Sequence, residues 1–148
     1  MEIGYTEAQE ALRDELRAYY QSLLTPAVEA ELATGAGIGP AVRRVVRQMG
    51  ADGWLGIGWP TRYGGQGRSA IEQFIFFDES MRSGAPVPML TINTVGPTIM
   101  EFGTAEQKAS FLPRILAGEI HFCIGYTESH GGTDLAELST RPVRDGEE

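Results

Sequence analysis

Apolar residues recur at steps of three and four along the start of the chain. Ala8, Leu12, Leu16, Tyr19 and Leu23 form one such stripe, and positions at that spacing share a face of a helix with 3.6 residues per turn. Thr6, with Gln9 three residues on, supplies a capping box ahead of it, and Pro26 is expected to close it. Residues 27–39 are weakly patterned and carry Gly35, Gly37 and Gly39, so part of that stretch reads as loop. Val42, Val45, Val46 and Met49 then predict a second helix over 40–51, with Pro40 in its first turn. From Gly53 to Pro60 helix-breaking residues alternate with Trp54, Leu55, Ile57 and Trp59, which ask for burial, and Tyr63-Gly64-Gly65-Gln66-Gly67 reads as a tight turn.

Ser69 and Glu72 make another capping box. The helix it opens, 70–83, carries Ile71, Phe74, Ile75, Phe76, Phe77 and Met81, an apolar surface broad enough to predict burial on most sides. After Pro86 and Pro88 a largely apolar segment, 89–102, reads as helix. Thr104 with Gln107 caps a further one, which is expected to kink or break near Leu112 because Pro113 follows, and to end at Gly118. There the period changes. His121-Phe122-Cys123-Ile124-Gly125-Tyr126 has no 3.6-residue repeat and reads as a strand, followed by a glycine-rich turn at Ser129-His130-Gly131-Gly132. The predicted fold class is mainly α: a helical domain over 1–118, and over 119–148 the beginning of a β domain too short to stand alone.

Composition narrows the function. Twelve Lys and Arg against 20 Asp and Glu give a net charge of −8 in 148 residues, which argues against nucleic acid as a partner. Arg43, Arg44 and Arg47 read as the solvated face of a helix. The single cysteine, Cys123, permits no intrachain disulfide and reads as a small buried hydrophobe. With no apolar leader and no run of about 20 apolar residues, the expectation is a soluble, cytoplasmic chain without membrane insertion. His121 and His130 are too few and too far apart for a dependable metal site. No phosphate-binding or dinucleotide fingerprint occurs. Asp78 and Glu79 point about 100° apart on one helix, so they share no active site.

The informative segment is Tyr126-Thr127-Glu128-Ser129-His130-Gly131-Gly132-Thr133-Asp134. Adjacent glycines let backbone N–H groups approach a ligand closely, and the hydroxyls of Thr127 and Thr133 can donate to ring heteroatoms or phosphate oxygens. Glu128 and Asp134 suit such a loop only if they turn away and bind backbone donors. On these residues alone a plain structural turn is the simpler reading and a ligand loop the alternative.

This segment resembles the Thr-Glu-Pro-Gly-Ala-Gly-Ser-Asp motif of the acyl-CoA dehydrogenases. An ordered series of features is similar to the same family: Asp52-Gly53-Trp54-Leu55, Trp59-Pro60, Tyr63-Gly64-Gly65, Gly103-Thr104 with Gln107-Lys108, Leu112-Pro113 to Gly118-Glu119, and Asp145-Gly146. The series covers nearly the whole chain and looks most like the actinobacterial members that act on CoA thioesters of steroid side chains. The resemblance implies a helical N-terminal domain, a middle β domain and a C-terminal four-helix domain, with FAD as cofactor. It implies cofactor-binding positions at Tyr126, Thr127, Glu128, Ser129 and Thr133, with Thr133 also near the acyl-CoA substrate. Ser129 stands where the family has Pro, and His130 where it has Gly, a position that can require φ > 0. Tyr63-Gly64-Gly65 reads as a structural turn.

The implied reaction is FAD-dependent α,β-dehydrogenation of an acyl-CoA thioester, a carboxylate taking the α proton while the β hydrogen leaves as hydride. In the family that carboxylate lies in the C-terminal domain, beyond Glu148, so no catalytic residue is assigned here and this stretch by itself is expected to be inactive. Family members form homo- or hetero-oligomers. Two alternatives remain open: a non-catalytic helical subunit that pairs with a catalytic dehydrogenase chain, and an acyl-CoA oxidase on the same scaffold.

Overall fold

The computed structural model describes residues 4–35, 38–141, 143 and 146. Six α-helices account for most of it: α1 (Glu7–Leu23), α2 (Pro26–Ala33), α3 (Pro40–Ala51), α4 (Ala70–Ser83), α5 (Gly96–Phe102) and α6 (Ala105–Leu116). All three expected capping boxes form, at Thr6 with Gln9, Ser69 with Glu72 and Thr104 with Gln107. In each, the hydroxyl accepts from the N3 amide while the N3 side chain accepts from the cap's own N–H, satisfying two donors that the helix leaves unpaired.

Pro26 differs from expectation. The break lies at Leu24 and Thr25, and Pro26 opens α2, because its fixed φ and missing N–H suit a first helical turn as Pro40 does in α3. No hydroxyl caps α3. Instead the Glu31 carboxylate, reaching from α2, accepts from the amides of Val42 at 2.9 Å and Ala41 at 3.0 Å. Those bonds, with Arg44 and Arg43 nearby, hold its carboxyl below the ordinary value.

The core draws on most of these elements. Leu12, Leu16 and Tyr20 of α1 meet Ile75 and Phe76 of α4, while Val42, Val46 and Met49 of α3, Trp54, Leu55 and Ile57 of the following turns, and Leu112 and Ile115 of α6 complete it. Trp54 stacks on Phe76 with ring centroids 6.4 Å apart and 10° between planes. Glu79, only 4% exposed, lies on the α1–α4 seam and accepts from Arg17 at 2.8 and 2.9 Å. The expectation that α4 is buried on most sides is not met. Ile71, Phe74 and Met81 are exposed, because α1 covers one face of α4 and no second neighbour among the described residues covers that stripe.

The segment before α5 is helical, as expected, but its first turns run in π register over Thr91–Val95. Gly96 donates to the Thr91 carbonyl, so in that register the Ile92 carbonyl would take the N–H of residue 97. Residue 97 is proline and has none. The indole Nε1–H of buried Trp59 supplies the missing donor at 2.8 Å. Two glycines make room for that tryptophan, Gly96 for its indole and Gly65 for its backbone. A Cβ on Gly96 would lie 2.1 Å from Trp59 Cζ2, and one on Gly65 would lie 2.1 Å from the Trp59 carbonyl oxygen. The Tyr63-Gly64-Gly65 turn is accordingly structural, with Gly64 at φ +87°.

Pro113 neither kinks nor breaks α6, which runs unbroken to Leu116. The carbonyl that Pro113 leaves unpaired belongs to Ala109 on the exposed face, open to solvent, while buried Leu112 and Ile115 hold the turn. Gly118, at φ +66°, terminates the helix as expected.

Replacing Trp59 by Phe orphans the Ile92 carbonyl and is expected to destabilise the protein by about 1–3 kcal/mol. Gly96→Ala, which drives a methyl into the indole, is expected to cost a comparable amount. Urea unfolding followed by circular dichroism measures both, and a variant as stable as wild type contradicts the assigned role.

Candidate functional site

Beyond Gly118 the chain leaves the helical core. The expected strand over 121–126 does not form; these residues are irregular, and the pairing nearby is a single bridge between Glu128 and Gly131. A strand needs a neighbour for its backbone groups, and the described residues contain none. Cys123, expected to be buried, is exposed for the same reason. Ile120 and Phe122 pack on the core, with the Phe122 ring edge-on to Phe111 at 5.8 Å and 75°. Thereafter Ile124 and Tyr126 are 39% and 58% exposed.

The motif itself closes as a tight turn. Glu128 N–H donates to the Gly131 carbonyl at 2.7 Å, and Gly131 N–H returns a bond of 3.3 Å. None of the described non-glycine residues has positive φ, so the histidine at position 130 costs no backbone strain. Its Nε2 lies 2.9 Å from Ser139 Oγ and 3.3 Å from Glu128 Oε2, and its Nδ1 lies 3.3 Å from Ser129 Oγ.

The Glu128 side chain turns back onto its own chain. Its carboxylate accepts from the amides of Thr140 at 2.7 Å and Ser139 at 2.9 Å, and from the hydroxyls of both residues. The Thr140 hydroxyl and these amides hold the Glu128 carboxyl down at about 2. Asp134 likewise turns onto backbone, its Oδ1 accepting from Ala136 N–H at 2.9 Å. Both carboxylates that would repel an electron-rich ligand are thus spent on bracing the turn.

The remaining polar groups divide the other way. Thr127 and Thr133 are exposed, and among the described residues their hydroxyls have no partner within the chain; nor do the N–H groups of Tyr126, Thr127, Gly132 and Thr133. Gly131 and Gly132 have φ outside the left-handed region. A Cβ on either would make only ordinary contacts, 3.6 Å to Glu137 and 3.5 Å to Thr127 Cγ2. The fold of this stretch therefore does not require either glycine, and Gly132 is exposed while Gly131 is buried. Of the sequence-predicted positions, Tyr126, Thr127 and Thr133 offer free donors, Ser129 bonds its neighbour His130, and Glu128 is a brace.

Residues 6–119 match the acyl-CoA dehydrogenase N-terminal domain. The chain belongs to the acyl-CoA dehydrogenase family. It is 56% identical to the acyl-CoA dehydrogenase FadE26 of Mycobacterium tuberculosis over 100% of its own length and 38% of that protein. Among solved structures it resembles the ChsE4-ChsE5 complex from Mycobacterium tuberculosis, with TM-score 0.88 and 57% identity over 99% of this chain and 37% of that one. The Tcur3481-Tcur3483 steroid ACAD gives TM-score 0.87 and 55% identity, covering 99% of this chain and 38% of that one. This acyl-CoA dehydrogenase chain thus spans about two-fifths of the length of the proteins it matches. No helix among the described residues is long and apolar enough to cross a membrane.

Sequence reasoning missed two features beside the loop. The Thr91 hydroxyl, buried beneath the π turn, accepts from Phe122 N–H at 2.9 Å. The ring nitrogens of His121 are both buried without a partner, and burial, with Arg43 nearby, lowers its pKa. A threonine 31 residues upstream carries no local signal of such a contact. Of Asp145-Gly146, Asp145 lies outside the described residues.

The depressed Glu128 carboxyl gives a signed expectation. Its bonds brace the loop fully above the ordinary carboxylate value of 4.5 and are lost as pH falls through about 2. In an NMR titration the Ser139 and Thr140 amide protons are expected to shift with a midpoint near 2; a midpoint at 4.5 contradicts the brace.

Proposed function

We propose that this chain is the helical part of an FAD-dependent dehydrogenase that introduces a double bond between the α and β carbons of an acyl-CoA thioester. Its residues divide into a helical domain over 1–118 and the opening of a flavin-binding β domain over 119–148. Family membership supports the reaction class. The observation that carries the site is the split at residues 126–140, where the Glu128 and Asp134 carboxylates are consumed internally while hydroxyl and amide donors stay free.

That donor set fits a flavin. The isoalloxazine ring presents carbonyl oxygens and ring nitrogens at its edge, and main-chain N–H groups at Tyr126 and Thr127 with the Thr127 hydroxyl are suited to hold it. Bound FAD would accept the β hydrogen as hydride. Thr133 is placed to reach the flavin or the pantetheine arm of the thioester. Glu128 keeps the loop in shape and moves no proton at neutral pH. None of the carboxylates here is proposed as the base, and Glu79 is already engaged by Arg17.

The resemblance to a steroid ACAD favours a CoA thioester of a steroid side chain as substrate. Both solved relatives are two-component assemblies by name, and the exposed stripe of Ile71, Phe74 and Met81 is compatible with a partner. A hetero-oligomer is therefore the second part of the reading. A purely non-catalytic role in such a pair would leave the full-length protein colourless.

The test is the visible spectrum of the full-length protein. A flavin spectrum that bleaches on adding a steroid side-chain CoA thioester is expected; a protein colourless even after added FAD sinks the proposal. Gly132→Ala is expected to leave thermal stability unchanged while weakening FAD retention about tenfold, since only a closely approaching ligand meets the added methyl. Unaltered FAD affinity in that variant removes the loop from the site.

A further inference from the structure

We propose that Thr91 is a positioning residue for the flavin loop. Its hydroxyl holds the Phe122 amide and so sets the direction in which residues 123–133 leave the helical domain. The inference rests on reading that loop as the flavin contact.

Three observations carry it. First, Thr91 is a polar residue only 2% exposed, and a hydroxyl is kept in a core when a specific partner needs it. The partner is Phe122 N–H, 31 residues away and 2.9 Å distant. Second, among the described residues this is the one hydrogen bond made by the backbone between 120 and 127. The helical ladder ends with Glu119 N–H on the Arg114 carbonyl, and backbone pairing resumes at Glu128. With Ile124 and Tyr126 exposed, Phe122, with its ring on Phe111 and its amide on Thr91, is the last residue before Thr127 that is fixed to the helical core by both side chain and backbone.

Third, Thr91 begins the π turn. A π turn widens the helix by one residue, and such insertions concentrate where function needs a side chain re-aimed. Here the register that leaves the Ile92 carbonyl to Trp59 also presents Thr91 Oγ1 to the departing chain. One local deformation therefore links the tryptophan that anchors the core to the segment that carries Tyr126 and Thr127.

The experiment uses the full-length protein. Thr91→Val keeps the shape and removes the acceptor; FAD is expected to bind roughly tenfold more weakly, the effect of losing one half-buried hydrogen bond. Hydrogen exchange at the Phe122 amide of the flavin-free protein is expected to speed up by a similar factor. Thr91→Ser and Thr91→Ala both lose the methyl and differ only in the hydroxyl. Serine is expected to bind FAD as wild type does, and alanine to share the loss. Equal FAD affinity in serine and alanine variants overturns the proposal, as does unchanged Phe122 exchange in the valine variant. Failure of both valine and alanine variants to fold also overturns it, because Thr91 would then serve the core and not the loop. If the wild-type protein binds no FAD, the flavin reading falls, while Phe122 exchange still decides whether the tether exists.

Discussion

One hydrogen bond, from the Trp59 indole to the Ile92 carbonyl, is the constraint on which much of the structure depends. It exists because a π turn meets a proline. The widened register asks residue 97 for a donor, Pro97 has none, and an orphaned carbonyl in the core costs more than a typical bond contributes. Trp59 answers from a separate segment, and answering brings its indole against the backbone at Gly96, where a side chain is forbidden for that reason. A Cβ at Gly65 would meet the main chain of Trp59 itself. The turns between α3 and α4 and the entry to α5 are thereby fixed relative to each other, and the exit toward residues 122–133 starts from the same π turn.

Electrostatics follows a similar economy. The chain is strongly acidic, yet its most informative carboxylates are not displayed. Glu31 crosses from α2 to cap α3, Glu79 is clamped by Arg17, and Glu128 and Asp134 fold back onto the turn they belong to. Spending Glu128 and Asp134 on backbone donors leaves a loop that is internally braced and still has N–H and O–H groups without partners among the described residues. Such donors suit the proposed flavin, whose ring edge presents hydrogen-bond acceptors.

Much of this was legible in the sequence because the signals are local. Three capping boxes, the apolar stripes of α1 and α3 and the terminating Gly118 each act within one turn of chain, and each forms as read. The misreadings occurred where a long-range neighbour decides. Pro26 and Pro113 look alike as helix breakers until one knows that the first begins a helix and that the second leaves its orphan carbonyl facing water. Phe74 and Met81 read as core, although nothing in this stretch covers them. Residues 121–126 have strand character, but a strand is a property of pairs. Cys123 was misjudged with them. The Thr91–Phe122 tie had no sequence signal, since it joins a buried hydroxyl to an amide across 31 residues. In the 126–134 segment the resemblance implied a cofactor role for Glu128, whereas its carboxylate is engaged by Ser139 and Thr140, residues too far along the chain to be paired with it by local pattern.

The packing around Trp59 also restricts how such a sequence can change over generations. Position 96 can acquire a side chain only after the indole has shrunk, and the indole can shrink only after the Ile92 carbonyl has found another donor. That donor becomes available when position 97 ceases to be proline, which by itself adds an N–H inside an already packed turn. Each single step is unfavourable until its companion has occurred, so residues 59, 96 and 97 are expected to drift as a set or not at all. The arrangement is locked less by the strength of any one contact than by the absence of a passable first step.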